Sequence, residues 1–146
     1  MQKRIVIVAG LLAATVVAAA SLAPLNINIG AWEVTMTSTV NGMPPQTSSY
    51  TSCVQPSDLT KYPFNDPKAN CTWEVVSSTG STMQANGTCK PKNMGTMQFE
   101  MQLTASDPQH VKGTGHLTAK GPNGPMTGDY SGTGKWIGGK CPTPAQ

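Results

Sequence analysis

The two histidines are the side chains of this sequence best suited to acid–base chemistry, but their spacing argues against a shared role. His110 and His116 lie six residues apart in a segment of alternating polarity. In an extended strand that spacing corresponds to roughly 20 Å, at about 3.3 Å per residue. Both also fall on the outward parity of the segment. We therefore expect two solvated histidines that share neither a metal ion nor a proton relay.

The seven acidic residues are scattered along the chain, and those within predicted strands point outward. A carboxylate pair of the glycosidase kind could form only across strands. The sequence contains no Gly-x-Ser-x-Gly elbow, no P-loop and no His-Glu-x-x-His motif. We therefore predict no catalytic residues, no cofactor and no enzymatic activity, with an uncharacterised enzyme as the alternative.

A metal site is also not expected. A zinc site would need closely spaced cysteines of the C-x-x-C kind, whereas the nearest cysteines in this chain are 18 residues apart. Thioethers are soft ligands for Cu(I), but Met97 and Met101 lie about 13 Å apart on one strand face. The inward parity of these methionines instead predicts core packing.

The stretch between Cys71 and Cys89 is typical of a β-hairpin. Folding it about Gly80 places Cys71 opposite Cys89 and Trp73 opposite Gly87 on one face. The same register pairs Val75 with Ala85 and Ser77 with Met83. Four cysteines allow three pairings. The hairpin predicts a Cys71–Cys89 disulfide, and exclusion then predicts Cys53–Cys141.

The N-terminus has the pattern of a secretory signal peptide. Lys3 and Arg4 precede an apolar run that ends in Ala18-Ala19-Ala20 before Ser21. We expect residues 1–20 to be removed, leaving 21–146 as a single domain without a stable membrane anchor.

Removal of the two basic residues lowers the formal net charge from +3 to +1 and leaves no arginine, which argues against nucleic-acid binding. The predicted location is the bacterial periplasm or the medium, where disulfides form.

Seven segments of period-two polarity predict an all-β fold. They are 29–40, 47–54, 71–77, 83–89, 95–104, 111–119 and 126–137. Short turns between most of them indicate an antiparallel meander. The long connection 55–70 carries three prolines, which restrict it to at most one helical turn, and Tyr62 and Phe64 favour a role as an ordered cover over the core. We expect the sheet to curl into a small barrel, with a β-sandwich as the alternative.

Three motifs and the order of the four cysteines carry a family resemblance. The motifs are Gly-Ala-Trp-Glu-Val-Thr at 30–35, Asn-Gly-Met-Pro at 41–44 and the closing segment 134–141. This resemblance is to a bacterial exported family, domain-of-unknown-function family 3617. It implies export and a β-rich disulfide fold, and it implies no activity or catalytic residue.

Inward glycines dominate the last two predicted strands. Folding them about Asn123-Gly124 would pair Gly115 with Gly132 and Gly113 with Gly134, leaving a trough without side chains. A hairpin in which Leu103 meets Val111 would place Phe99 and Met101 beside Gly115 and Gly113.

Two interpretations of this trough are open. Phe99 and Met101, with Trp32 from across the core, would fill it, because aromatic rings commonly pack over strand glycines. Alternatively the trough admits an acyl chain or an aromatic ligand. The candidate ligand-binding residues are Gly113, Gly115, Gly132, Gly134, Phe99, Met101 and Trp32.

These features favour an exported, non-enzymatic β-domain that binds either a small apolar ligand or a protein partner of the envelope. The alternative is a structural envelope protein whose Thr- and Gln-rich faces contact cell-surface polymers. A cavity above roughly 300 Å³ would favour ligand binding, and a filled interior would favour the other functions. The oligomeric state stays open.

Overall fold

The computed structural model describes residues 22–66, 68–92, 95–121 and 123–142, which form one β-sheet around one core. The predicted signal peptide lies outside the described residues. The eight strands are β1 (Leu22–Ala23), β2 (Gly30–Val40), β3 (Gln46–Val54), β4 (Cys71–Thr79), β5 (Thr82–Cys89), β6 (Met97–Asp107), β7 (His110–Gly121) and β8 (Gly124–Gly138). A 3-10 turn at Pro56–Asp58 matches the single helical turn expected in the long connection.

The spatial order of the strands is β1-β4-β5-β6-β7-β8-β2-β3. Strands β4 to β8 form the expected antiparallel meander, and the β2–β3 hairpin joins it because β2 pairs with β8. The prediction omitted β1, whose two residues pair in parallel with β4. Parallel pairing is possible here because the chain runs through β2, β3 and the long connection before it reaches β4.

The sheet is all-β and antiparallel apart from β1, as predicted, but it does not close into a barrel within the described residues, and that expectation was wrong. Its two edges, β3 on one side and β1 with β4 on the other, do not pair. The connection 55–70, here called the cover segment, lies between these edges. Tyr50 of β3 donates a hydrogen bond to the Phe64 carbonyl at 2.6 Å, and Trp73 of β4 donates to Asn65 Oδ1 at 3.1 Å. Side-chain hydrogen bonds to the cover segment thus connect the two edges of the sheet. In a closed barrel, backbone hydrogen bonds between the two edge strands would connect them.

Residues 24–29, here called the plug segment, close one end of the curled sheet. Leu25 and Ile27 are buried in the core. The backbone N–H of Asn26 donates to the Gly80 carbonyl at 2.7 Å, and that of Asn28 donates to the Pro108 carbonyl at 2.8 Å. The plug segment is therefore fastened to the β4–β5 and β6–β7 turns, and this end is called the closed end.

Trp32 is the largest fully buried side chain and lies next to the plug segment. Its indole N–H donates to the Asn28 carbonyl at 2.9 Å, which satisfies the one polar atom of the ring. Its ring meets that of Phe64 from the cover segment at 5.4 Å between centroids. The cover expected from Tyr62 and Phe64 is confirmed, since both side chains are buried in the core cluster.

The β4–β5 register is confirmed over its first half. Cys71 pairs with Cys89, Trp73 with Gly87 and Val75 with Ala85. A bulge then shifts the strand by one residue, so that Ser78, and not Ser77, pairs with Met83 and is buried. A bulge adds an unpaired residue and reverses the faces beyond it, which is why simple alternation failed here.

The registers expected for the last two hairpins were wrong by two residues. Gly113 pairs with Gly132, and Gly115 pairs with Tyr130. In the preceding hairpin Leu103 pairs with Gly113, because β6 continues to Asp107 through an irregularity before the turn. An even shift keeps every side chain on its predicted face, so the inward and outward assignments of these strands hold.

Candidate ligand-binding cavity

A cavity of about 270 Å³ lies at the end of the sheet opposite the plug segment, here called the open end. Strands β2, β3, β6 and β8 contribute to its wall, together with the start of β4, the end of β5 and the cover segment. Inward parity places the strand side chains there. Six of the eight aromatic residues of the chain line this cavity: Tyr50, Tyr62, Phe64, Trp73, Phe99 and Tyr130.

Four of these rings form a continuous series, here called the aromatic arc. Tyr62 stacks on Trp73 with centroids 3.9 Å apart and planes at 19°. Trp73 approaches Phe99 at 6.0 Å and 47°, and Phe99 approaches Tyr130 at 5.4 Å and 51°. These separations fall in or near the range of favourable aromatic pairs. The arc therefore forms a preorganised wall built from the cover segment and three strands.

Asp66 is the one charged residue among the described residues that line the cavity. Its Oδ1 accepts the backbone N–H of Lys68 at 2.9 Å, which orients the carboxylate at the end of the cover segment. Burial, and secondarily the negative charge of Asp66, raises the pKa of Tyr50 to about 12. No sequence pattern identified Asp66, because it lies in a segment without periodicity.

The other two tyrosines of the cavity are also held in the neutral form. Burial, and then the neighbouring Tyr50, raises the pKa of Tyr62 above its ordinary value. Burial likewise raises the pKa of Tyr130. The phenol groups therefore stay uncharged at neutral pH and offer the cavity ring surface rather than negative charge.

Five of the seven residues predicted to bind a ligand line two separate spaces, and Trp32 and Gly115 line neither of them. Phe99 and Met101 line the open-end cavity. Gly113, Gly132 and Gly134 instead border a space of only about 20 Å³, room for roughly one water molecule. These glycines do not line the larger cavity.

Side chains occupy most of the glycine trough. A Cβ atom placed on Gly134 would lie 3.5 Å from Trp32 Cε3 and 3.6 Å from Phe64 Cζ. Trp32 reaches it from the neighbouring strand β2, not from across the core. A Cβ atom on Gly115 would collide with Met101 Sδ, so that an enlarged side chain at Gly115 would strain β6 before it could probe the cavity.

The histidines are exposed on the outer face, as predicted, but each has an acidic partner that the sequence analysis missed. His110 Nδ1 lies 2.9 Å from Asp107 Oδ2, and His116 Nδ1 lies 2.9 Å from Asp129 Oδ1. The backbone N–H of Gln109, and then the His110 side chain, lowers the pKa of Asp107. The first pair was detectable from its three-residue spacing, and the second required the correct β7–β8 register.

These pairs do not form a metal centre. Among the described residues, no three His, Cys, Asp or Glu side chains are grouped closely enough to hold a metal ion.

Both predicted disulfides are confirmed. Cys53–Cys141 joins β3 to the chain beyond β8 at the closed end, with Cα atoms 5.4 Å apart. Cys71–Cys89 closes the β4–β5 hairpin at the open end, where both residues line the cavity. Each end of the sheet thus carries one covalent tie.

No helix in the described part of the chain has the length and apolar character needed to span a bilayer. Searches among curated proteins and among solved structures found no significant match. The model of one family, described as a protein of unknown function (DUF3617), matches residues 24–141, which include the plug segment, the cover segment and all four cysteines. This chain therefore belongs to the DUF3617 family.

Proposed function

We propose that this protein is an exported, non-enzymatic binding protein that holds a small apolar organic molecule in the open-end cavity. The observation that carries the proposal is the concentration of six of eight aromatic residues around one cavity of about 270 Å³. Small-molecule sites are typically apolar and aromatic, with few polar groups, and have volumes from roughly 300 Å³ upward. At about 270 Å³ the cavity lies just below that range, which limits it to a small ligand such as an aromatic molecule of two or three rings or a short chain.

The contrast with the glycine trough supports this location. Trp32, Phe64 and Met101 fill the trough to about 20 Å³, and the plug segment covers the closed end. At the open end the rings pack against each other and leave the larger space between the sheet and the cover segment. A ligand would therefore enter at the open end.

Export of the protein is part of the same proposal. The apolar run after Lys3 and Arg4 has the pattern of a signal peptide, and two disulfides fit an oxidising compartment. The periplasm or the extracellular medium of a bacterium provides such a compartment. There the protein would meet small molecules that cross or arise in the envelope.

N-phenyl-1-naphthylamine, a neutral fluorophore whose emission rises in apolar surroundings, provides a direct test. Ser38 lines the cavity from β2, whereas Thr39 is exposed on the opposite face of the same strand. We expect the parent protein and Thr39→Leu to bind the probe. Ser38→Leu should lose most of this binding, because its side chain would occupy the cavity.

Circular dichroism and thermal melting of all three proteins would establish that they are folded. Absence of probe binding by the folded parent would overturn the proposed function. Equal binding by Ser38→Leu and Thr39→Leu would show that the probe binds elsewhere.

A further inference from the structure

The aromatic arc and Asp66 together point to a particular class of ligand. The arc presents four rings in one series, and Asp66 is the one charged residue among the described residues that line the same cavity. Resting on the proposed function above, we propose that the apolar group held in the cavity is the methyl shell of a trimethylammonium group, so that the ligand is a small organic cation. Rings of the aromatic arc would contact its methyl groups, and the carboxylate of Asp66 would balance its charge.

The aromatic component of this site favours a cation over a neutral apolar molecule. The faces of Trp, Tyr and Phe rings carry negative electrostatic potential, and a cation within about 6 Å of a ring centroid is attracted to it. Trp73 is stacked against Tyr62 on one face and lies against Gly87 on the other, so the rings of the arc left to face a cation are Phe99 and Tyr130. Recognition of quaternary ammonium groups by aromatic cages is a general use of this physics.

The charge component favours a cation and disfavours an anion. Asp66 is fixed through its hydrogen bond from the Lys68 backbone N–H, and its charge contributes to the raised pKa of Tyr50 in the cavity wall. Because Asp66 lines the cavity, its negative charge would lie beside a bound ligand. A fatty acid or another anion would meet like charge there.

The polar inventory of the wall favours a methylated ammonium over a primary one. A primary ammonium has three N–H donors that each require an acceptor when water is excluded. Two acceptors near the cavity are already occupied. Asn65 Oδ1 accepts the indole N–H of Trp73, and the Phe64 carbonyl accepts the Tyr50 hydroxyl. A trimethylammonium group carries no donors and matches a lining that is mainly apolar.

Choline and its neutral carbon isostere 3,3-dimethylbutan-1-ol separate charge from shape. Isothermal titration calorimetry at low ionic strength should show choline binding at least about tenfold tighter than the alcohol, the size expected when a cation is desolvated against rings. Asp66→Asn keeps an oxygen for the Lys68 N–H and should weaken choline binding about tenfold while leaving the alcohol unaffected. Glu33→Gln, a neutralisation on the exposed outer face of β2, is the matched control and should change neither.

The outcomes distinguish this proposal from the proposed function on which it rests. If choline and the alcohol bind equally, or if only the fluorophore binds, the cation proposal is overturned and the apolar binding function stands. If the folded protein binds none of the three, both fail. If choline binds but Asp66→Asn and Glu33→Gln behave alike, the assigned site is wrong.

A further arm of the titration distinguishes the source of the cation. Dihexanoyl phosphatidylcholine below its micelle concentration should bind more tightly than choline if the group comes from a lipid headgroup. It should bind more weakly if the ligand is a free cation.

Discussion

The two ends of the curled sheet are built from the same strands but differ in what covers them. At the closed end, the plug segment buries Leu25 and Ile27 and fastens its backbone to two turns. At the open end, no comparable segment among the described residues enters the sheet, and aromatic rings line a cavity. Inward glycines and aromatic residues therefore do not create a cavity by themselves. The space beside them is filled by side chains at the closed end and stays empty at the open end.

The largest expected effect comes from the two disulfides, because each of them links the chain at one end of the sheet. Removing Cys53–Cys141 with a Cys→Ala pair should lower the free energy of unfolding by about 4–5 kcal/mol, and removing Cys71–Cys89 by about 3 kcal/mol. The difference arises because the sequence separations are 88 and 18 residues, and a longer loop restricts the unfolded chain more. Urea titrations of both double variants measure these values. A larger loss from the open-end pair would contradict this loop-length account of the two disulfides.

The plug segment should carry a large share of stability at the closed end. Leu25→Ala removes a side chain that is 1% exposed and should cost about 3 kcal/mol, from lost burial and the cavity left behind. Leu22→Ala, at a position 56% exposed, is the matched control and should stay within about 0.5 kcal/mol of the parent. Similar losses in the two variants, by chemical denaturation, would mean that the plug segment does not pack as described.

Alkaline pH should destabilise the cover segment through Tyr50. Its pKa is raised from 10.0 to about 12 in the folded protein, so below pH 10 both states hold the proton and stability is unaffected. Between about pH 10 and 12 the unfolded chain releases the proton while the folded protein retains it. Stability should therefore fall with rising pH by roughly 2–3 kcal/mol from this group alone.

Tyr50→Phe isolates that contribution. At pH 7 it should cost about 1 kcal/mol for the hydrogen bond to the Phe64 carbonyl. Near pH 12 the order should reverse, because phenylalanine has no proton to release. Parallel pH profiles for the variant and the parent would show that Tyr50 is not buried beneath the cover segment.

A smaller effect is expected at the open end from Gly87→Ala. A Cβ atom at Gly87 would lie 2.6 Å from Trp73 Cζ3, so the indole must move, at a cost of about 1–3 kcal/mol. Gly138→Ala is the control, since a Cβ atom there meets nothing within 4 Å. An unchanged melting temperature for Gly87→Ala would contradict the stacking of Trp73 across this strand pair.

Much of the sheet was predictable because the alternation of side chains and the positions of the cysteines indicate the same strand register. The pairing of Cys71 with Cys89 follows from alternation, and the second disulfide follows by exclusion. The last two registers were wrong because turn composition does not fix the centre of a hairpin to one residue, as the irregularity before Asp107 illustrates. Alternation still assigned the correct face to Phe99 and Met101.

The cavity was less predictable than the strands. Its wall depends on Tyr62, Phe64 and Asp66, which lie in a connection without period-two or helical patterning. The sequence indicated that this connection covers the core, but its position between β3 and β4 depends on side-chain hydrogen bonds from Tyr50 and Trp73. Patterns of polarity carry no information on such bonds, so the sequence did not show that a connection would occupy the gap between the two edge strands.

The three indole N–H groups provide the most direct measurement of where a ligand binds. Trp73 lies in the aromatic arc at the open end, whereas Trp32 and Trp136 donate to Asn28 and Ile29 at the closed end. In two-dimensional ¹H–¹⁵N spectra assigned with single Trp→Phe variants, titration with N-phenyl-1-naphthylamine should shift the Trp73 indole signal and leave the other two in place. A shift confined to Trp32 or Trp136, or no indole shift while the fluorophore is bound, would contradict ligand binding in the open-end cavity.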